Sequence, residues 1–419
     1  MKFNRIALAV ALASLSIGAH ATNGYFSHGY GMKAKGMAGV ATTSTDDAFF
    51  GANNPAAAAF AGNRMELGAD LFSPVREFSN TTAGFTVESD SELFLVPEFG
   101  YNRMINNDLA LGITVYGNGG MNTDYPATFG PFNYFGGTGS LGVDLSQLII
   151  APTVAYKFAP NHSIGISPLL AYQRFAATGL QFMAGFSASP NNVSEKGHDD
   201  SYGYGVRVGY LGKVTPTVTI GAAYASKLEM TEFDSYKGLF AEKGDFDIPE
   251  NYNLGVSWQA TPALRLAFDY QRINYSDVNS VGNAVTNLFS APLGAGNGPG
   301  FGWDDVDVWK LGVEYQYNKA WTFRAGYSHA NNPINGGSFT NNEFGEVTMN
   351  ILAPAVIEDH VTLGFTYTRD NGDQITMAYM HGFENDVSGP SLFNAFDPAG
   401  NENIKMYQNS LGIQYSWKM

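Results

Sequence analysis

The chain has 419 residues, a formal net charge of -15, only 15% charged residues and no cysteine. The acidic balance without a basic run argues against nucleic acid as a partner, and the absence of cysteine excludes a disulfide framework. Glycine, tyrosine and phenylalanine are abundant, and no internal apolar run reaches the roughly 18 residues of a membrane helix, which favours a β-rich protein.

The first 21 residues have the features of an export signal. Lys2 and Arg5 supply positive charge, residues 6–17 are apolar, and an Ala-His-Ala cleavage site ends at Ala21. A membrane anchor is the alternative, but the apolar run is short and the small residues lie where a signal peptidase cuts. The sequence therefore predicts an exported chain whose mature form begins at Thr22.

Residues 22–61 precede every strand-like run and are rich in glycine and alanine. Asn53, Asn54 and Pro55 interrupt an apolar stretch within this segment. Because proline removes a backbone donor and clashes with the preceding turn, the stretch is not expected to form an isolated helix. Its small residues favour close packing inside another structure.

From residue 62 onward, apolar residues recur at every second position. Trp309, Leu311 and Val313, for example, alternate with Lys310 and Gly312. A period of two places each set on one face of a β-strand. The pattern predicts fourteen strands, and single-chain bacterial outer-membrane barrels have an even number. The predicted strands are 63–78, 91–105, 108–119, 145–159, 162–178, 201–214, 217–230, 251–260, 263–275, 306–318, 320–329, 358–369, 373–383 and 406–418.

The connections between these strands alternate between tight turns and long links. Transmembrane barrels have this arrangement, with short periplasmic turns and long outer loops. A soluble sandwich is the alternative, although it has no reason to place every long loop at one end. An alternating apolar stripe also runs to the last residue, which is Met419 where outer-membrane proteins more often have phenylalanine.

Several short motifs resemble one family of outer-membrane proteins. Within NGYFSHGYGMKAKGMAGVATTSTDDAFFGANNP, the spacing from Asp-Asp-Ala at 46–48 to Asn-Pro-Ala at 54–56 is the specific part. The glycines at 29, 31, 36 and 39, the GNGG stretch at 117–120, and the stretches at 236–255 and 350–365 agree with it. Across essentially the whole mature chain, the sequence resembles the FadL-type long-chain fatty acid transporters, which include the TodX-like aromatic hydrocarbon channels.

The resemblance implies an all-β fold, a fourteen-stranded antiparallel transmembrane β-barrel with an N-terminal hatch in its lumen. The implied boundaries are a signal peptide at 1–21, a hatch at 22–61 and a barrel at 62–419. The implied function is passive uptake of hydrophobic molecules across the bacterial outer membrane, with a lateral exit at a kink in the third strand. Long-chain fatty acids and aromatic hydrocarbons both remain as substrates, because both kinds of member share these motifs.

The gate hypothesis joins two of these motifs. Glycines weaken a strand and mark a bulge or close backbone approach, and broken ladder groups that face lipid cost several kcal/mol each unless partnered. An asparagine side chain offers donors and an acceptor. We therefore expect the hatch residues Asn54, Pro55 and Ala56 to pack at the kink formed by Gly117, Asn118, Gly119 and Gly120. The alternative is that the Asn-Asn-Pro stretch only breaks a helix and that the GNGG stretch only ends a strand.

Cations on the inward faces are candidates for binding a ligand carboxylate. Ion pairing with one another or with the hatch is the competing role for them. Arg174 alternates in phase with the outward-facing residues of its strand. A bulge or a position at the outer rim would be needed to turn its side chain toward a ligand. Aromatic contact to a ligand tail is expected from the mature N-terminus. The ligand-binding candidates are Tyr25, Phe26, Arg174, Arg207, Lys310 and Arg324.

The sequence contains no motif for catalysis, cofactor binding or a metal site. We therefore predict no enzyme activity, no cofactor and no metal. A general porin, an adhesin or a barrel hydrolase would be the functional alternatives. The expected partners are a hydrophobic small molecule and the lipid and lipopolysaccharide of the outer membrane, with no nucleic acid and a monomeric barrel.

Overall fold

The computed structural model describes residues 23–338, 344–395 and 400–419, so the predicted signal peptide lies outside the described residues. Fourteen antiparallel strands form a closed barrel, in which each strand pairs with its neighbours in the chain and the last pairs with the first. The strands are β1 (Arg64–Asn80), β2 (Phe94–Met104), β3 (Leu109–Tyr125), β4 (Leu141–Ala159), β5 (His162–Thr178), β6 (Asp199–Lys213), β7 (Val218–Ala225), β8 (Asn251–Thr261), β9 (Leu264–Ile273), β10 (Val306–Gln316), β11 (Trp321–Ala330), β12 (Asp359–Thr368), β13 (Gln374–Pro390) and β14 (Asn401–Lys418).

The prediction of a fourteen-stranded antiparallel barrel is confirmed, and tight turns alternate with long links as expected. One difference is in β3, for which the sequence predicts an end at 119 but which continues to Tyr125. A β-bulge between Gly117 and Gly119 lets this strand continue pairing with β4 beyond the glycines. β7 ends at Ala225 rather than 230, while β13 and β14 extend further into the outer loops than predicted.

The other elements are short and lie in the hatch segment or in the long links. Two further strands, Phe85–Glu88 and Glu229–Met230, pair with β1 and β6 respectively. No helix in the described part of the chain is long and apolar enough to cross a membrane. The α-helical turns are Met32–Lys35, Ala241–Gly244, Asn279–Gly282 and Glu346–Asn350, and the 3-10 turns are Pro55–Phe60, Gln181–Phe186, Pro190–Asn192, Asp234–Tyr236, Tyr275–Asp277, Val285–Phe289 and Leu392–Ala395.

The two faces of the wall differ in composition. Side chains such as Leu111, Ile166, Leu254 and Leu363 point outward and are exposed. The inward face carries buried polar and charged groups, and apolar residues from the long loops cluster above the lumen. This distribution is that of a barrel whose outer surface faces lipid.

Residues 23–61, which we call the hatch, lie inside the barrel. All of them are buried except Ser44, Thr45, Asp46, Asn53 and Phe60, which are partly exposed. The turn Pro55–Phe60 packs against β4, β5 and β6, and the turn Met32–Lys35 packs against β12 and β13. Barrels of about eight strands can be filled by side chains alone, whereas sixteen-stranded ones enclose a channel; here the hatch occupies much of the lumen.

Candidate functional site

The wall is interrupted between β2 and β3. Their ladder runs only from Met104 opposite Ala110 to Phe99 opposite Val115. Beyond that point, residues 94–98 of β2 still pair with β1, and residues 116–125 of β3 still pair with β4 across the bulge. We call the gap between 94–98 and 116–122 the lateral window. At its outer end the Asp90 amide donates to the Asp124 carbonyl at 2.8 Å, which closes the gap again.

The first described residues of the hatch lie in this window and pair with β3 through an isolated bridge. Phe26 forms an antiparallel bridge with Gly119. The Ser27 amide donates to the Asn118 carbonyl at 3.0 Å, and the Gly120 amide donates to the Tyr25 carbonyl at 3.1 Å. The Tyr30 hydroxyl adds a bond to the Asn118 carbonyl at 3.0 Å. The hatch backbone thus pairs with β3 where β3 lacks β2 as a partner.

The prediction that Asn54, Pro55 and Ala56 pack at the kink is wrong. The Asn54 side chain donates to the carbonyls of Thr42 and Tyr210, at 2.8 and 2.9 Å, and caps the turn Pro55–Phe60 by accepting from the Ala56 amide. It therefore lies against β6. The hatch backbone at Tyr25 to Ser27 already partners the kink, so no side chain from the Asn-Pro-Ala motif is needed there.

Glycine is required at the bulge for a steric reason. A Cβ at Gly119 would lie 1.8 Å from the Tyr25 carbonyl oxygen, far inside contact distance, so any side chain would displace the hatch peptide. Gly117 is less constrained, because its nearest neighbour would be a Val96 methyl at 3.1 Å. The close backbone approach expected from the GNGG stretch is therefore present at Gly119.

An aromatic cluster connects the window to an outer loop. The Tyr275 hydroxyl accepts from the amides of Tyr25 and Phe26, at 3.1 and 3.2 Å, and donates to the Asn23 carbonyl at 2.6 Å. The Tyr25 ring lies 5.1 Å from the Tyr275 ring and 6.0 Å from the Trp303 ring. Tyr25 and Phe26 are thus buried among aromatic rings and help to hold the hatch in place; their contact with a ligand tail stays a prediction.

The outer links enclose cavities of different sizes. A cavity of about 380 Å³ is lined by residues of the β9–β10 and β11–β12 links, including Val285, Asp304 and Phe344. A second, apolar cavity lined by Phe175, Phe240, Phe301 and other residues has only about 20 Å³. A larger hollow of about 730 Å³ is lined largely by outward-facing side chains, such as Ile166, and so lies on the outer side of the wall.

Wall side chains hold the hatch backbone around the barrel. Asp269 accepts from the amides of Ala41 and Thr42 at 2.8 Å, and Glu66 accepts from the Ala48 amide at 2.7 Å. Glu98 similarly accepts from Gly31, Gln414 from Met32, and Thr362 from Ala38. Because these acceptors belong to five different strands, the hatch is fixed at many points.

The predicted ligand-binding cations divide into two groups. Arg324 is buried in the lumen but pairs with Glu314 at 2.7 Å and with Asp46 of the hatch at 3.6 Å. Arg174 lies at the outer rim with Asp144 at 3.6 Å, and its parity keeps it out of the lumen. Neither guanidinium is available to a lumen ligand without losing an existing contact.

Arg207 and Lys310 form the second group. Both are buried, and among the described residues no carboxylate oxygen lies within 4.0 Å of either side-chain cation. Arg207 makes long bonds, 3.5 Å to the Asn53 carbonyl and 3.4 Å to Asn251 Oδ1. Lys310 donates to Gln271 at 2.8 Å and lines a polar cavity of about 20 Å³ beneath the hatch. That volume holds about one water molecule.

Sequence reasoning missed Tyr275, Arg76 and a cluster at the outer rim. Arg76 belongs to the alternating set of β1 residues that point inward, so the period-two pattern identifies it as a lumen residue. In the rim cluster, ligand atoms of His329, Glu358 and Asp359 lie within 4.8 Å of one another. Sequence spacing cannot show this cluster, because it joins the end of β11 to the start of β12. His329 Nδ1 lies 2.9 Å from Asp359, which accounts for that contact as an ordinary pair.

Comparison with known proteins decides the family. The model of the family described as outer membrane protein transport protein (OMPP1/FadL/TodX) matches residues 10–391. The chain belongs to this family. It is accordingly an outer-membrane β-barrel, and both the family and the fold place it in the bacterial outer membrane.

Individual relatives of this FadL/TodX-family protein are distant but match over nearly full length. A long-chain fatty acid transport protein of Escherichia coli is 22% identical, with 91% of each chain covered. The toluene transporter TodX of Pseudomonas putida has a TM-score of 0.69 at 20% identity, covering 94% of this chain and 99% of TodX. A FadL homologue of Pseudomonas aeruginosa has a TM-score of 0.69 at 15% identity, covering 96% and 99%. These structures share the fold.

Proposed function

We propose that this protein takes up hydrophobic molecules, long-chain fatty acids first, and releases them sideways through the lateral window into the outer leaflet. The single observation that carries the proposal is the interrupted ladder between β2 and β3, sealed by hatch backbone. A continuous ladder would leave no lateral route, whereas a peptide held by a few hydrogen bonds can be withdrawn. The process is passive and has no chemical step.

The seal has a physical reason to be reversible. Unpartnered backbone groups at an opening that faces lipid would cost several kcal/mol each, so the window stays closed while no ligand is present. Tyr25 to Ser27 partner those groups in the closed state. A ligand that packs among Tyr25, Tyr275 and Trp303 would compete with the contacts that hold this peptide, and would thereby favour withdrawal.

Arg207 and Lys310 favour fatty acids as substrates. A buried cation is costly unless it is paired, and in this lumen a ligand carboxylate would supply the missing charge. The E. coli relative, named for long-chain fatty acid transport, agrees with this choice. The cavity at Lys310 is far smaller than the roughly 300 Å³ of a small ligand pocket, so the hatch must move for a carboxylate to bind there.

Uptake of aromatic hydrocarbons is the second candidate. The rings around Tyr25 would suit a small aromatic molecule, and two solved relatives are named as toluene transporters. A neutral hydrocarbon would not use Arg207 or Lys310. These two residues therefore discriminate between the candidates.

The test compares oleate and toluene uptake in cells that carry the wild type or the double variant Arg207→Met, Lys310→Met. Each lost charge-assisted bond is worth about 1.5–3 kcal/mol, so oleate uptake should fall at least tenfold while toluene uptake stays unchanged. Equal loss of both would contradict a fatty acid site. The ion-paired Arg265→Met variant is the matched control, since Arg265 Nε lies 3.4 Å from Glu314.

Deleting residues 22–61 separates a plugged transporter from a porin or an adhesin. We propose these boundaries for the hatch, with a signal peptide at 1–21, a barrel at 62–419, and a monomer surrounded by lipid and lipopolysaccharide. The deletion should create open-pore conductance in a planar bilayer. A porin would already conduct in its full-length form. An adhesin would bind its partner equally well with and without residues 22–61.

A further inference from the structure

Arg76 spans the outer part of the lateral window. It lies on β1 with inward parity, and its guanidinium donates to the carbonyl of Ser91, just before β2, and to the carbonyl of Asn122 on β3. These two carbonyls stand on opposite sides of the gap. One side chain therefore bridges the interruption above the point where the hatch peptide seals it.

The charge of Arg76 has no close counter-ion. The residue is only 3% exposed, and no carboxylate oxygen of the described residues lies within 4.0 Å of its guanidinium nitrogens. Its buried Nε has no hydrogen-bond partner. Glu92 and Tyr125 are near enough to act on it electrostatically, but neither forms an ion pair with it.

Burial without an anion is unusual for arginine. Buried charges in proteins are paired or coordinated, because removing an ion from water costs several kcal/mol even after relaxation. Carbonyl oxygens satisfy two of the donors, but they supply only partial charge. A planar guanidinium with a spare N–H is suited to a carboxylate, which it can bind through two parallel bonds.

Aromatic side chains lie beside Arg76 together with its polar partners. Its guanidinium carbon lies 5.8 Å from the centre of the Phe94 ring, at the edge of the window. Tyr125, Phe78 and Met121 belong to the same buried cluster as Tyr25 and Phe26. A long-chain carboxylate that passes from this cluster through the window would bring its headgroup past the guanidinium while its chain stays among apolar side chains.

We propose that Arg76 binds the carboxylate of the transported molecule at the lateral window, as a specificity-determining group on the way out of the barrel. The inference rests on the proposed function, since it requires ligands to leave by this window. It goes further by assigning a residue of β1 to the carboxylate at the exit itself, separate from Arg207 and Lys310 in the lumen. Exchange of the two carbonyl partners for the ligand carboxylate would also release the bridge across the gap.

The experiment measures uptake of oleate and of oleyl alcohol, which has the same chain without the carboxylate, by proteoliposomes containing the full-length protein. Arg76→Met removes the charge and retains an unbranched side chain. We expect oleate uptake to fall about tenfold to a hundredfold, the range for one lost charge-assisted hydrogen bond, and oleyl alcohol uptake to stay at the wild-type rate. Arg76→Lys retains the charge but not the planar fork, and should give an intermediate oleate rate.

The outcomes separate this inference from the function on which it rests. If Arg76→Met changes the uptake of both molecules equally, or of neither, Arg76 is at most a structural bridge and the inference is overturned. If the wild type takes up the alcohol but not oleate, or neither, the fatty acid function itself is contradicted and the inference falls with it. Barrel folding of each variant is checked by its heat-modifiable gel mobility, and Arg265→Met should leave the ratio of the two rates unchanged.

Discussion

A single hydroxyl connects an outer loop to the seal of the lateral window. The Tyr275 oxygen accepts two hatch amides and donates to one hatch carbonyl, and its ring packs edge-on against Tyr25 and Trp303. A ligand that displaces Trp303 or Tyr275 would therefore act directly on the peptide that lies in the window. Neither residue carries a sequence signal for this role. Trp303 lies in an irregular loop, and the alternation places Tyr275 at the end of a predicted strand, although the strand ends at Ile273 and Tyr275 begins a turn.

Replacing Tyr275 with phenylalanine should loosen the seal. The change removes three hydrogen bonds worth about 1 kcal/mol each and keeps the ring. Hydrogen exchange at the Tyr25 and Phe26 amides should rise about tenfold to a hundredfold. Tyr236→Phe is the matched control, since its buried hydroxyl similarly anchors another loop, to Ala177 and Gly197. Unchanged exchange in Tyr275→Phe would show that bridge formation with Gly119 alone holds the peptide.

Strand periodicity predicted most of the barrel because each strand obeys one simple rule. In β5 the alternation fixed both ends, and in β10 it placed Lys310 on the inward face. The rule failed in β3, where it predicts an end at 119, although the bulge at the expected kink allows pairing to continue to Tyr125. The hatch has no period at all, so its sequence could not show that Tyr25 rather than Asn54 meets the kink.

The outer link between β7 and β8 contains two acidic residues whose repulsion depends on pH. Burial, followed by the charge of Asp247, raises the pKa of Asp245 from 3.8 to about 7. The folded link therefore holds the Asp245 proton more tightly than an opened one does. The stability that the Asp245 proton contributes to the folded link is fully present below about pH 4 and is lost as the pH rises through about 7. Ser280 anchors the link by donating to the Asp245 carbonyl.

We therefore expect local opening of residues 241–248 to increase between pH 5 and pH 8. Hydrogen exchange, corrected for its intrinsic dependence on pH, measures this opening. Asp245→Asn cannot ionise and should abolish the trend while keeping the amide packed. Persistence of the same trend in Asp245→Asn would assign it to another group. Lys227, which pairs with Asp247 at 2.7 Å, should remain bound in both proteins.

The whole molecule is described in a closed state. The two interior cavities nearest the proposed route have about 20 Å³ each, while the outer cavity has about 380 Å³. A ligand of fatty acid size cannot pass such cavities without movement of loops or hatch, since ligand pockets begin near 300 Å³. The hatch backbone bonds to β3 where its ladder with β2 is missing, so movement of the hatch peptide at the window is the central event of the account.

A reversible tether across the window tests this claim most directly. Ser27 faces Asn118 as in a hydrogen-bonded antiparallel pair, whose Cα atoms are about 5.5 Å apart, within the range of a disulfide. Because the chain has no other cysteine, Ser27→Cys with Asn118→Cys forms a single defined bridge. Oxidation should stop oleate uptake and reduction should restore it, while each single variant is insensitive to both. Equal uptake by the oxidised and reduced double variant would contradict release through the lateral window.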